Sequence, residues 1–213
     1  MSLRTIVTKT ALTIFAVTSS IAASASPYEV TLEQEGANVV ATGSGSIDVT
    51  GLHMQIGASV TPVLIPEGGD IVTRFTTGSV LFQGADSYVG FTGPRSFGTG
   101  NVALPSAGTG DVVGIFNDAF PAELLVPVGY VSDTPLSDTA TYTGATLASL
   151  GVTPGTYVWT WGTGTDQNFT LDVVAPVAAT PVPAALPLFA TGLGALGLVG
   201  WRRKRKAPST FAA

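Results

Sequence analysis

The sequence predicts an all-β fold, an antiparallel β-sandwich or jelly-roll-like passenger domain, over residues 26–174. Short runs rich in Thr, Val and aromatic residues recur along this stretch, and turn clusters such as residues 43–46 and 66–70 separate them. No window holds a sustained apolar period of about 3.6 residues, which would indicate an amphipathic helix. Regularly spaced short strands without helices are typical of sandwiches and jelly rolls.

Ten segments are predicted strands: residues 28–32, 38–42, 55–65, 78–83, 87–91, 111–115, 124–127, 140–142, 155–161 and 168–173. The last two form a closing hairpin, in which Tyr157, Trp159 and Trp161 share one face because side chains alternate along a strand. We expect this face to lie in the core and to meet the apolar residues of the partner strand, Phe169, Leu171 and Val173. Val158 and Thr160 then point the other way.

Residues 1–25 have the three parts of a secretory signal peptide. Arg4 and Lys9 form the basic part, and an apolar stretch follows from residue 11. Ala23 and Ala25 place small side chains at the two positions that signal peptidase recognises, so we predict cleavage after Ala25. The chain is therefore expected to be exported through the Sec translocon.

The C-terminal end has the pattern of a stop-transfer anchor. Residues 175–183 form a Pro- and Ala-rich linker, which proline keeps extended. Residues 184–201 are uncharged and predict a transmembrane helix, whose eighteen positions would span about 27 Å, at the short end for a bilayer. A basic cytoplasmic tail, residues 202–213, follows; because basic residues stay inside, the domain lies outside. The basic cluster consists of Arg202, Arg203, Lys204, Arg205 and Lys206.

This tripartite tail, residues 181–206, resembles the PEP-CTERM sorting domain: a proline motif, a Gly-rich apolar helix and a terminal basic cluster. The motif here is Pro181, Val182 and Pro183, with valine where the family has glutamate. The resemblance implies cleavage near this motif by an exosortase, a membrane-embedded cysteine transpeptidase, and transfer of the domain from the inner membrane to the cell surface or extracellular matrix. It also implies a Gram-negative, biofilm-forming host and an exopolysaccharide as a partner. Residues 146–155 and 162–168 resemble the end of a group of PEP-CTERM passenger domains.

The charge distribution excludes nucleic acid as a partner. Between residues 26 and 183 there are fourteen acidic residues and two basic ones, Arg74 and Arg95, which gives a net charge of -12. Such a domain repels polyanions. The chain has no cysteine, which excludes thiolate metal sites and a lipobox cysteine.

No motif predicts catalysis, and we expect no catalytic residue and no bound cofactor. His53 is the only histidine, and its surroundings match no catalytic or metal-binding pattern, so a surface or strand-edge position is expected. Four glutamates could supply a glycosidase pair, but their spacing does not indicate which two would converge: Glu33, Glu35, Glu67 and Glu123.

Two binding alternatives remain open at this level. Structural calcium could be held by Asp111, Asp118, Asp133 and Asp138 if loops bring them together, and residues 162–166 match part of a Gly-rich calcium repeat in a single copy. Trp159 or Trp161 could stack on sugar rings if exposed. The sequence therefore favours a non-enzymatic structural or adhesive protein, with a carbohydrate-binding module or a secreted hydrolase as alternatives.

Overall fold

A computed structural model of the chain describes residues 26–55, 57–74 and 83–176, and the positions 193–194, 196–198 and 201–202, which are helical. The predicted signal peptide with Ala23 and Ala25, the sorting motif at residues 181–183, most of the predicted membrane helix and residues 203–206 lie outside the described residues. In the part of the chain that is described, no helix has the length and apolar character needed to cross a membrane. The chain divides into two compact units, Met1–Ala175 and Pro176–Ala213.

The first unit is built from strands, which confirms the all-β class. Thirteen strands occur among the described residues: β1 Tyr28–Glu35, β2 Asn38–Gly45, β3 His53–Met54, β4 Ala58–Val60, β5 Val63–Ile65, β6 Asp70–Val72, β7 Gln83–Val89, β8 Ala107–Gly110, β9 Gly114–Phe116, β10 Glu123–Pro127, β11 Leu136–Tyr142, β12 Gly155–Thr160 and β13 Asn168–Val173.

The strands form two sheets. The six-stranded sheet has the order β12-β13-β1-β2-β11-β8, and the second sheet has the order β3-β7-β10-β9-β6-β5, with β4 also paired to β7. Neighbours are antiparallel except β1 and β13, which run parallel. This pair departs from the expected purely antiparallel pattern, because the first strand lies between its hairpin partner β2 and the C-terminal hairpin.

Several strand limits differ from the predicted ones. The predicted strand 55–65 is divided, since β4 pairs with β7 whereas β5 pairs with β6, and Pro62 between them has no N–H for a ladder. The turn predicted at 66–70 ends one residue early, because Asp70 begins β6. The strand predicted at 111–115 begins only at Gly114. Strand β8, with the sequence Ala-Gly-Thr-Gly, was missed because its residues have low strand propensity and it pairs only as an edge to β11.

One hydrophobic core contains residues of both sheets. Val30 and Leu171 contribute from the six-stranded sheet, and Ile115 and Leu124 contribute from the other. The largest fully buried side chains in it are Trp159, Tyr28, Phe97 and Phe169. The two-residue period gives the six-stranded sheet one apolar face. The second sheet is buried on both sides, because Val63, Val72, Ala85 and Leu125 belong to a separate apolar cluster.

The predicted closing hairpin is confirmed. Trp159 lies opposite Phe169, and their rings meet edge to face with centroids 5.6 Å apart. Trp159 is fully buried, Tyr157 and Trp161 pack partly buried against the core, and Val158 on the opposite face is 41% exposed.

We expect Phe169→Ala to lower the free energy of unfolding by about 3–5 kcal/mol, since it removes a fully buried ring that contacts two other aromatic rings. Val158→Ala, on the exposed face of the neighbouring strand, should change it by less than about 1 kcal/mol. Urea unfolding of both variants measures this. Equal losses of stability in the two variants would contradict the assignment of Phe169 to the core and of Val158 to the exposed face of the hairpin.

Candidate functional site

The outward face of the six-stranded sheet is the candidate functional surface, and we call it the hydroxyl face. Burial alternates along its strands, so each contributes every second residue. Apart from Glu35 and Asn38, which adjoin the β1–β2 turn, the seventeen outward residues are Thr156, Val158, Thr160, Asn168, Thr170, Asp172, Glu29, Thr31, Glu33, Val40, Thr42, Ser44, Ser137, Thr139, Thr141, Ala107 and Thr109. Ten of these carry a hydroxyl group, three carry a carboxylate and none of the seventeen is basic.

The register brings five threonines and one aspartate into one row across all six strands. Thr31 lies opposite Thr42, Thr42 opposite Thr139, and Thr139 opposite Thr109. On the other side Thr31 lies opposite Asp172, and Asp172 opposite Thr156. We call these six residues the central row. Neighbouring strands are about 4.8 Å apart, so the row is about 24 Å long.

Hydrogen bonds orient both ends of the central row. Thr156 Oγ1 donates to Asp172 Oδ1 over 3.1 Å, and the Oγ1 atoms of Thr109 and Thr139 lie 3.1 Å apart. Such cross-strand contacts reduce the rotational freedom of the exposed hydroxyl groups. The surface is therefore partly ordered before any ligand binds.

A depression of about 340 Å³ opens on this face near the start of β1. Glu29, Thr31, Ser44 and Thr170 line it, and they come from three adjacent strands. Its groups accept and donate hydrogen bonds, and Glu29 adds a negative charge. This chemistry suits a polar ligand with several hydroxyl or amino groups.

Beneath this face, a tyrosine and an aspartate form a buried pair. Tyr28 donates a hydrogen bond from its hydroxyl to Asp138 Oδ2, and both side chains point into the core. Asp138 Oδ1 has no hydrogen-bond partner among the described residues. The pair joins β1 to β11 within the six-stranded sheet. Thr73, next to β6 of the other sheet, donates its own hydroxyl to the Val113 carbonyl group.

Burial governs the titration of this pair. Desolvation raises the pKa of Asp138 to about 6, although the hydrogen bond from Tyr28 acts in the opposite direction. Burial and the neighbouring Asp138 raise the pKa of Tyr28 well above its ordinary value. With an exposed fraction of only 3%, Asp138 is a core group. The expectation that it could join a loop calcium site is therefore wrong.

A second buried carboxyl group organises the loop ends of the other sheet. Asp70 Oδ1 accepts hydrogen bonds from the backbone amides of Asn117 at 2.5 Å and Asp118 at 3.1 Å. Asn117 Nδ2 donates to the carbonyl groups of Gly69 and Pro94. Desolvation raises the pKa of Asp70 to about 6, against the effect of the two amides. These contacts hold together the turn before β6, the loop at Pro94 and the segment after β9.

The structure locates the other residues that the sequence singled out. His53 is exposed on β3 at the edge of its sheet, as expected. Trp159 Nε1 donates to the Pro94 carbonyl and Trp161 Nε1 to the Asp48 carbonyl, so both indoles pack inward. Within residues 26–55, 57–74 and 83–176, no three acidic or histidine side chains form a group that could hold a metal ion.

The four glutamates lie in three elements, because Glu33 and Glu35 share β1. Glu33 belongs to the hydroxyl face, Glu35 ends β1, Glu67 lies in the turn after β5, and Glu123 begins β10. Burial raises the pKa of Glu123. Sequence reasoning missed the hydroxyl face itself. Alternating hydroxyl residues in β11 and β12 are visible in the sequence, but only the register shows that they align with Thr31 of β1 and Thr42 of β2.

We expect the stability of the domain to fall as the pH rises from about 4 to about 6. Asp70 and Asp138 titrate near 6 in the folded chain against 3.8 ordinarily, so the folded state binds more protons in this range. Each group contributes at most about 1.4 kcal/mol per pH unit. Urea unfolding across this range should show a shallower fall for Asp138→Asn than for the parent chain. The exposed Asp133→Asn serves as control, and parallel curves for parent and Asp138→Asn would contradict the assignment.

Gly43 should not tolerate a larger residue. An added Cβ would overlap the Tyr28 hydroxyl and lie 2.7 Å from both carboxylate oxygens of Asp138, so Gly43→Ala must separate the buried pair. We expect a loss of about 1–3 kcal/mol in the free energy of unfolding. Gly57→Ala is the matched control, because its nearest neighbour would be the Ala85 carbonyl oxygen at 3.7 Å. Equal stabilities would show that the pair accommodates the methyl group without cost.

Comparison with protein-family models, with curated proteins and with solved structures finds no match to this chain. Its function is therefore inferred from the chemistry of its own residues.

Proposed function

We propose that this chain is an exported surface or extracellular-matrix protein with a non-enzymatic, structural or adhesive role. The observation that carries the adhesive role is the hydroxyl face, which extends across six strands and presents ordered polar groups outward. Many weak polar contacts on a rigid sheet add up when a long ligand binds several of them at once.

Sequence patterns at the two ends support the route to the outside. Ala23 and Ala25 complete a signal peptide, and the motif at residues 181–183 precedes an apolar stretch and a basic cluster. Together they favour export by the Sec translocon, transient anchoring in the inner membrane and processing by an exosortase.

The domain suits exposure outside the cell as a rigid scaffold. We infer a β-sandwich, because both sheets contribute to one core. The Tyr28–Asp138 pair adds a buried polar connection between β1 and β11 of the six-stranded sheet. A scaffold of this kind keeps the hydroxyl face in a fixed shape.

A carbohydrate-binding module is the second candidate, and the depression near Glu29 and Ser44 favours it. Binding there would use hydrogen bonds to hydroxyl and carboxylate groups. It would not use Trp159 or Trp161, since their indoles pack against the core.

A secreted hydrolase has less support. The two carboxyl groups whose pKa lies near 6, Asp70 and Asp138, would be the natural general acids. Asp70 is fully buried and Asp138 nearly so, so neither contacts solvent as a general acid must. They are better explained as structural groups.

Intact mass and cell fractionation in the native host test the proposal. The parent chain should begin at Ser26, lack the residues after the 181–183 motif, and occur at the surface only when the exosortase gene is present. A Pro181→Ala, Pro183→Ala double variant should keep its tail and stay in the membrane, whereas Pro176→Ala should be processed normally. Full-length protein in the membrane fraction of the host, both with and without the exosortase gene, would overturn the sorting proposal.

A further inference from the structure

We propose that the hydroxyl face binds a linear polysaccharide that carries free amino groups, lying across the strands along the central row. This inference rests on the proposed extracellular, adhesive role and names the ligand class. The carboxylates of the face bind the amino groups, and its hydroxyl groups bind those of the sugar rings.

The geometry of the central row suits a repeating polymer. It presents one polar side chain about every 4.8 Å over about 24 Å, a repeat of the same order as one sugar ring in an extended chain. Five of its six members are threonines, whose hydroxyl groups both donate and accept hydrogen bonds. A polymer crossing the strands therefore meets an equivalent group at each sugar.

The carboxylates select the charge of the ligand. Asp172 lies beside Thr31 on the neighbouring strand, and Glu29 and Glu33 flank Thr31 two residues away on either side. Diagonal neighbours in a sheet are about 7–8 Å apart, so three carboxylates surround the middle of the face. An ammonium group forms with each a hydrogen bond in which both partners are charged, whereas the hydroxyl group of a neutral sugar brings no opposite charge.

The same charges disfavour an acidic polysaccharide. The seventeen residues of the face include no basic side chain, and residues 26–183 carry a net charge of -12. Uronic acid or sulfated polymers would be repelled. The complementary polymer is cationic.

A protein partner fits this face poorly. Its only apolar members are Val158, Val40 and Ala107, whereas the centres of protein interfaces are rich in aromatic and other apolar anchors. Covering ten hydroxyl groups with a protein surface would desolvate them without this compensation. A polysaccharide offers its own hydroxyl groups as hydrogen-bond partners in place of the water bound to the face, or keeps water molecules that bridge the two surfaces.

Isothermal titration of the purified full-length chain in mild detergent tests the inference. The two probes are a chitosan oligomer, which is a glucosamine chain with free amino groups, and the fully N-acetylated oligomer of the same length. We expect binding to the chitosan oligomer that weakens as salt is added, and markedly weaker binding to the acetylated one. Equal binding of the two oligomers, or no binding of either, would overturn the inference.

Matched variants locate the site. Asp172→Asn and Glu29→Gln should each weaken chitosan binding by about twofold to fivefold, and Thr42→Val should weaken it without changing its salt dependence. Glu67→Gln removes the same charge at an exposed turn of the other sheet and should have no effect. An equal effect of Glu67→Gln would mean that net charge alone attracts the polymer, and the assignment to this face would fail. Because these measurements use purified protein, their outcome is independent of the fractionation result on sorting.

Discussion

Tyr28 packs its ring against Phe169, with 5.4 Å between the ring centroids, and hydrogen-bonds its hydroxyl to Asp138. One side chain thus joins the first strand to both the C-terminal hairpin and β11. The parallel pairing of β1 with β13 makes this contact possible, because it places Tyr28 directly opposite Phe169. The C-terminal hairpin joins the rest of the six-stranded sheet only through β1, so its attachment depends on this placement.

The buried groups follow from this arrangement. Asp138 lies on the inward face of β11, where Leu136, Ala140 and Tyr142 are its apolar neighbours along the strand. Its carboxyl group reaches the Tyr28 hydroxyl only because Gly43 leaves space between them. The cost of burying a carboxylate appears as a raised pKa, and the hydrogen bond from Tyr28 offsets part of it. In the other sheet, the buried carboxyl group of Asp70 accepts hydrogen bonds from two backbone amides, which offset part of the same cost.

The outward side of the same sheet has the opposite character. In this sheet, strands that bury an apolar residue in the core turn the next residue outward, and the outward residues are mostly threonine and serine. Threonine suits an outward position on a strand, because its branched Cβ favours strand geometry while its hydroxyl group stays solvated. The functional proposals depend on this division, with the buried acids of the core inside and the acids available to a ligand outside.

The sequence by itself determined the strand-rich class, the two faces of the closing hairpin, the edge position of His53 and the charge of the domain. These features follow from composition and from the alternation of apolar and polar residues along each strand, and neither depends on which strands pair. Only the tertiary structure decided which strands pair. It placed β1 parallel to β13, added β8 at the edge of β11, and aligned Thr31, Thr42 and Thr139. It also brought Tyr28 into contact with Asp138, 110 residues away in the sequence. The physical reason is that a two-residue period fixes which face a side chain occupies but not which strand lies beside it. That choice depends on how the core packs as a whole.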